Sequence, residues 1–371
     1  MDPRMQKLAK QVMSYSVSLK PQEKVLIEAW DGAEELACAL SQAAQDLGGY
    51  PYVELRSMAV QRRLLLGGTE AYWNAWADYE LHRMKDMDAY VVIRKQDNIN
   101  EYADVPADRL TWFNRCNGIV QAQRLNHTKW CVLRYPNASM AQLSGMSTEQ
   151  FEEYFYNACC IDYAELNRVA SALNRLAART DKVRIVAPDT DITFSIKGMC
   201  QLESLCGIYN IPCGETGISV VTDSANGYIH YNIPSSYQGF VFNDIRLVLK
   251  DGLIVEATSN NTPLMNRILN IDANARRIGE FSLGFNPMLT KPITDTLFDE
   301  KMAMSLHFTP GNSPYNPSAI HWDIIQSHSP EYGGGEVWFD DVLIRKDGRF
   351  VVDELLELNP ENMIRHVVPK E

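Results

Sequence analysis

Carboxylates and histidines recur through the second half of this 371-residue chain at positions that turns or strand ends would hold. The segment NIPCGE (210–215) sets Glu215 directly behind a Pro/Gly turn, and RRIGEF (276–281) places Glu280 after a helical stretch. Glu300 and His307 flank an apolar segment; with an odd separation, a single strand carrying both would have to bend or bulge to aim them inward. SAIHWD (318–323) has a sharper geometry. His321 and Asp323, at i and i+2, project from one face of a strand about 7 Å apart along it, a spacing suited to chelation. Oxygen donors combined with one or two imidazoles suit zinc, cobalt or manganese. Each residue also has an ordinary role, since a lone Glu is usually a solvated surface charge and a lone His in an apolar segment a hydrogen-bonded packing group. The pattern alone suggests a metal without establishing one.

Other chemistries find less support. No GxSxG elbow occurs, and no cysteine has the local context of a nucleophile. A nucleotide role lacks both a GxGxxG after a strand and a GxxxxGK[ST]. Cys200, Cys206 and Cys213 fit no ribbon or finger spacing for zinc. His230, alternating with Tyr228, reads as a packing residue, and His328 and His366 read as surface or loop residues. Glu331 and Glu336 surround Gly333, Gly334 and Gly335, which a tight turn explains.

The elements that must position these residues change character along the chain. Over the first half, residues 4–18 read as helical, 24–30 as a buried strand, and Leu36, Leu40, Ala43, Ala44 and Leu47 as one helical face closed by Gly48-Gly49. Further strands are expected at 50–55, 89–94 and 130–134, with helical segments between them. This β-α-β rhythm implies a mostly parallel, covered sheet. Residues 147–179 read as one long helical region, with Ser147 and Gln150 at capping-box spacing. From Lys182 the segments become short and alternating, and Lys-Asp-Gly at 250–252 and again at 346–348 marks two hairpins. The expected fold is therefore an α/β parallel-sheet domain over 1–180, followed by a β-rich α+β metal-binding domain over 181–371.

Composition bounds the remaining classes. Apolar residues at 46% and charged residues at 22% are globular values. A net charge of −12 with no basic stripe argues against nucleic acid, because counterion release needs clustered Lys and Arg. Nothing approaches the roughly 20 apolar residues a membrane span requires. The first residues carry early charges and no signal-peptide core, so a cytoplasmic location with eight reduced, mostly buried cysteines is expected.

From about Trp130 onward the chain resembles the thermophilic-type metalloaminopeptidases, the family of aminopeptidases T and S. The resemblance runs through WCVLRYPNASMAQLSGMSTEQFEEYF, DKVRIVAPDTDITFSIKG, NIPCGE, RRIGEF, TLFDEK, SAIHWD and PEYGGGEVWFDDVLIRKDGRF. It implies an aminopeptidase hydrolysing short peptides through two divalent ions held in the C-terminal domain, and a homodimer enclosing its sites. Carried over residue by residue, Glu215, Glu280 and Glu300 match metal-binding glutamates, with Glu280 bridging both ions, and His321 and Asp323 match a His-x-Asp pair. Tyr315 falls near a tyrosine expected to contact substrate. The histidine after the Asp-Glu pair usually comes sooner; Ser305 stands in that place, and His307, two residues on and on the same strand face, is the expected ligand. The connection from His307 to His321 looks shortened. Two rival readings are a hydrolase of other small amides on the same metal site and a catalytically silent binding relative.

Overall fold

The computed structural model describes residues 2–201 and 204–368. They form two compact units, Met1–Cys160 with Gly207–Ile211, and Ile161–Cys206 with Pro212–Glu371.

In the first unit, apolar runs become parallel strands. The interiors of Lys24–Trp30 and Ala89–Arg94 are buried throughout, as a sheet covered on both faces requires. The sheet order is Tyr50–Arg56, Lys24–Trp30, Ala89–Arg94, Lys129–Arg134 and Asn210–Ile211, every neighbouring pair parallel. Helices Glu34–Asp46, Met58–Gly67, Glu70–Lys85 and Ala107–His127 supply the crossovers. Gly48, at φ +75°, takes the left-handed conformation that ends the first of these. Trp73 is fully buried and meets Trp76 and Phe113 edge-on. The strand Tyr50–Arg56 lies at the sheet edge and exposes Tyr50, Tyr52, Val53 and Leu55.

The region expected as one long helix is two, Thr148–Cys159 and Tyr163–Ala178. Ser147 and Gln150 do form a capping box. The break arises at Asp162, whose carboxylate accepts from the Glu165 backbone N–H at 3.0 Å and so starts a new helix. The first helix belongs to the first unit and the second to the second unit. The position near 180 expected as a domain boundary falls just beyond the second helix.

The second unit is β-rich. One sheet runs Leu253–Thr258, Ile245–Lys250, Asn226–Tyr231, Thr190–Ser195, Lys182–Ala187, Glu336–Phe339, Val342–Lys346 and Arg349–Phe350, all antiparallel. Both Lys-Asp-Gly turns carry two successive positive φ values, 49° and 75° at Asp251 and Gly252, and 48° and 79° at Asp347 and Gly348. That is the turn whose twist matches a two-residue hairpin. A second sheet runs Asn316–His321, Ser305–Ser313, Ile278–Leu283 and Ile218–Ser219, with Ile325–Ser327 also paired to Ser305–Ser313. Phe281 and Phe308 pack against Phe194 of the first sheet at ring-centroid distances of 5.1 and 4.7 Å. Because side chains alternate along a strand, the neighbours Glu280, His307 and Thr309 face the other way. That alternation turns one face of the second sheet into a polar site.

His328, read from sequence as a surface or loop residue, is fully buried. Its Nε2 lies 2.9 Å from the Gln326 side-chain oxygen, and its ring lies against Gly335, where a Cβ would come within 2.7 Å of it. The glycine run therefore serves a close approach as well as a turn.

Candidate metal centre

Five of the six residues expected as ligands sit on elements of the second sheet or next to it. Glu215 precedes the short strand Ile218–Ser219 and bridges to Gly284. Gly214 before it, at φ +144°, lies so close to Asn286 that a Cβ would come within 2.9 Å of the Asn286 backbone, so only glycine admits this approach. Glu280 lies on Ile278–Leu283 and pairs with Thr309 across the ladder. His307 lies on Ser305–Ser313 beside it. His321 ends the strand Asn316–His321, and Asp323 follows two residues later. Between them Trp322 points the other way, fully buried, donating to Ser235 Oγ at 2.9 Å and stacked on Tyr237 at 4.7 Å. This anchor holds the His-x-Asp step in place.

Glu300 is the exception. It caps the short helix Thr296–Asp299, while the strand begins only at Ser305. The two residues are on different elements, so the expectation of a bent strand carrying both does not apply.

Three of these side chains converge tightly. One donor atom from each of Glu280, His307 and Asp323 lies within 4.8 Å of the others. His307 Nε2 is 3.7 Å from Glu280 Oε1 and 4.0 Å from Asp323 Oδ1. Such separations are long for hydrogen bonds, yet they match ligands sharing an ion: tetrahedral bonds of about 2.1 Å put donors about 3.4 Å apart. His321 Nε2 closes the group at 3.1 Å from Asp323 Oδ1 and 3.5 Å from Glu280 Oε2. Its other ring nitrogen, Nδ1, lies 2.9 Å from the Asn312 carbonyl, which therefore accepts a proton from Nδ1. This bond selects the tautomer that leaves Nε2 free to ligate. Thr309 donates to Asp323 Oδ1 at 2.8 Å and orients that carboxylate.

A second group lies on the far side of His307. Its Nδ1 is 3.7 Å from Glu215 Oε2, and both atoms are buried without a hydrogen-bond partner. With Nε2 turned to Glu280 and Asp323, Nδ1 is the ring nitrogen that carries the proton, and it faces the Glu215 carboxylate, which orients the imidazole. Lys301, fully buried, contributes a charge nearby: its ammonium pairs with Glu215 Oε1 at 2.9 Å and with Glu300.

The electrostatics follow from this crowding. Burial works to lower the pKa of His307, but the Glu280, Glu215 and Asp323 carboxylates outweigh it and lift the group to about 9. His321 is lifted to about 10, again against burial, by Asp323 and Glu280. Burial would raise Asp323, yet the two imidazoles and Thr309 hold it well below the usual range. Burial disfavours the Lys301 ammonium, and the flanking Glu215 and Glu300 carboxylates keep it charged.

Tyr315 is not brought into this group. It sits in the turn between Ser305–Ser313 and Asn316–His321, 56% exposed. Its six-residue separation from His321 spans about 20 Å of extended strand. The connection from His307 to His321 forms a tight hairpin. Ser305, the alternative to His307, is buried and donates to the Met302 carbonyl at 2.7 Å.

Sequence reasoning missed Lys301 and Thr309. The i+2 step from His307 to Thr309 was a usable signal, as both must share a strand face. Nothing local marks Lys301, because its partner Glu215 is distant in sequence.

The fold is similar to that of wild-type AmpT from Thermus thermophilus, with TM-score 0.78 and 19% identity over 94% of this chain and 99% of that one. It is also similar to a 2,5-dihydroxypyridine dioxygenase from Pseudomonas putida KT2440, with TM-score 0.59 and 12% identity over 95% and 98% of the two chains. One fold thus carries different chemistries, and the residues of the site must decide between them. In sequence, aminopeptidase PepS of Streptococcus thermophilus is 28% identical over 154 residues, 38% of this chain and 37% of that protein. The aligned region spans little more than a third of the curated relative's length. The match that covers most of the chain is to a family model, over residues 1–350, and with it the carboxylate–imidazole cluster finds its setting: the chain belongs to the thermophilic metalloprotease (M29) family, whose members use divalent metal.

Proposed function

We propose that this chain is a metal-dependent aminopeptidase releasing N-terminal residues from short peptides. The observation that carries the reading is the mutual spacing of Glu280, His307 and Asp323, correct for ligands of one ion and long for hydrogen bonds. In this reading Glu280, His307 and Asp323 hold the ion, with His321 as a fourth ligand or immediate neighbour. When bound, a divalent ion acidifies water and polarises a carbonyl. The protein's own groups do the rest. Glu280 and His321, a quarter and two-fifths exposed, form the open side through which a peptide enters, while His307 and Glu300 close the rear. A carboxylate on the open side anchors the charged α-amine of the substrate, restricting cleavage to chain ends.

The reading extends to a second ion, which Glu215, Glu280 and Glu300 would hold. Lys301 already places a positive charge there, which favours a one-ion centre as the alternative. Counting ions separates the two. Zinc, cobalt or manganese reconstitution should give close to two ions per chain on the first reading and one on the second. A homodimer is part of the same proposal, supported by the unpaired edge strand Tyr50–Arg56 with its exposed apolar side chains, a ready template for pairing with a second copy. So is a cytoplasmic location, supported by eight cysteines without a disulfide. Among the described residues no helix is long and apolar enough to cross a membrane.

The deciding experiment compares free-amine peptides and aminoacyl chromogenic substrates with their N-acetylated forms, before and after chelation. Cleavage of the free-amine set alone, abolished by chelator and restored by metal, is expected. Rapid cleavage of acetylated peptides would replace the aminopeptidase reading by an amide hydrolase on the same metal site.

A further inference from the structure

The parallel sheet of the first unit carries a cavity of about 310 Å³ that the reading above does not use. It lies at the carboxyl ends of the strands. Lys24–Trp30 connects outward to Tyr50–Arg56 on one side, while its other neighbour, Ala89–Arg94, connects outward to Lys129–Arg134, so the two connections diverge between these adjacent strands. In open α/β sheets this reversal opens the crevice where ligands bind. The four longest strands end in Trp30, Arg56, Arg94 and Arg134, and all four residues line the cavity.

The lining carries five cationic side chains, Arg56, Arg94, Lys95, Arg124 and Arg134, against one carboxylate, Glu28. Arg56 is engaged by Glu28, Glu54 and Glu80 at 3.2 to 3.3 Å. Arg94 has no such counterion: among the described residues no carboxylate lies within 4.0 Å of it. It stands directly opposite Arg134 in the ladder, so two guanidinium groups meet at this end of the sheet and both line the cavity. Gln61 is 7% exposed with its Nε2 buried and unpartnered, while Arg124, 6% exposed, pairs through Nη2 with Glu28 of the same lining at 3.7 Å. Buried donors in native structures ordinarily have acceptors.

The wall also carries the aromatic rings of Trp30, Tyr90, Tyr102 and Phe113, beside Met58 and Val92 and the polar Gln96, Asn117 and Gln121. A dinucleotide does not fit this site. The volume is at the low end for ligand pockets, roughly 300–1,000 Å³. The helix after Lys24–Trp30 opens with Glu34 and Glu35, which repel a phosphate from its N-terminus. Recognition would come from guanidinium groups rather than a glycine-rich loop.

We propose that this cavity binds a small organic anion, a carboxylate or phosphate ester carried on a single planar apolar group, with Arg94 and Gln61 as its principal donors. The test is calorimetric titration of the full-length, metal-free protein at low salt with phenyl phosphate, phenylacetate and inorganic phosphate. Saturable binding of at least one ring-bearing probe is expected, tighter than inorganic phosphate, and whether phenyl phosphate or phenylacetate leads identifies the anion. Arg94→Gln should weaken it about tenfold or more, in line with loss of a charged hydrogen bond. Gln61→Met should weaken it less, with melting temperatures confirming that both variants fold. Arg62→Gln, which breaks a peripheral pair with Asp104, should leave affinity unchanged. Absence of saturable binding, equal binding by inorganic phosphate, or unaltered binding to Arg94→Gln each overturns the proposal.

Discussion

Lys301 provides the sharpest test of how the metal centre is balanced. Its ammonium is fully buried between Glu215, at 2.9 Å, and Glu300. At an effective dielectric of about 20, a unit-charge pair at that distance is worth about 6 kcal/mol before desolvation is subtracted. Removing one partner of a buried pair typically costs about 3–5 kcal/mol, because the remaining charge is left uncompensated. Lys301→Met keeps the length of the side chain and deletes the charge, leaving two carboxylates facing each other. For a cooperative unit of some two hundred residues, a loss of that size lowers the melting temperature by roughly 6–20 °C. A divalent ion at a hundred times its dissociation constant returns about 2.7 kcal/mol, so added zinc or manganese should recover much of the loss. The assay is melting by fluorimetry in chelator and in excess metal, together with elemental analysis of bound ions. In the variant, metal should raise the melting temperature more than in wild type, and occupancy at the Glu215–Glu300 position should rise. A metal-free variant melting within about 2 °C of wild type would refute the charge-balance argument.

The other expectations are simpler. His307→Ala should weaken metal binding about tenfold or more, since losses of supporting residues alone reach 10–100-fold, whereas Ser305→Ala should leave affinity nearly unchanged. In the metal-free protein, His307 and His321 have pKa values lifted to about 9 and about 10, above an unfolded value near 6.5. Their protonation therefore stabilises the fold fully below pH 6.5, and this contribution is lost as pH rises through 9 and 10, so chelated protein should melt progressively lower over that range. Metal must displace those protons, and calorimetry in buffers of different ionisation enthalpy should record proton release at pH 7. His328 has the opposite sign. Burial, reinforced by Arg345, pushes its pKa well below 6.5, so stability should fall as pH drops below that value, measurable by denaturant titration from pH 7 to 5. Val53→Lys should convert a dimer to a monomer in sedimentation if the exposed edge strand is the contact.

Much of this arrangement was legible because the signals are local. Buried runs such as 89–94 announce a covered parallel sheet, and Lys-Asp-Gly announces a turn with two positive φ values. The step from His321 to Asp323 announces a shared face even though Asp323 lies just past the strand. The misreadings share a different cause. Glu300 and His307 are close in sequence, but a helix end intervenes, so the condition of a single bent strand does not arise. One carboxylate at Asp162 was enough to divide an apparently continuous helix. His328 looks peripheral until Gly335, seven residues on and just before a strand, packs on its ring. Lys301 carries no local sign of burial, since its neutralising partner Glu215 arrives from 86 positions earlier in the sequence.

Trp322 stands between two of the proposed ligands, with its indole locked by Ser235 and Tyr237. That position makes it a built-in optical reporter. Cobalt, with visible absorption and unpaired electrons, should quench its emission on binding, whereas zinc should not. Of seven tryptophans only this one is bonded on both sides to residues of the cluster, so Trp322→Phe should erase the cobalt-dependent signal. Ion entry could then be timed by stopped-flow fluorescence without any substrate, apart from whatever reaction the centre performs.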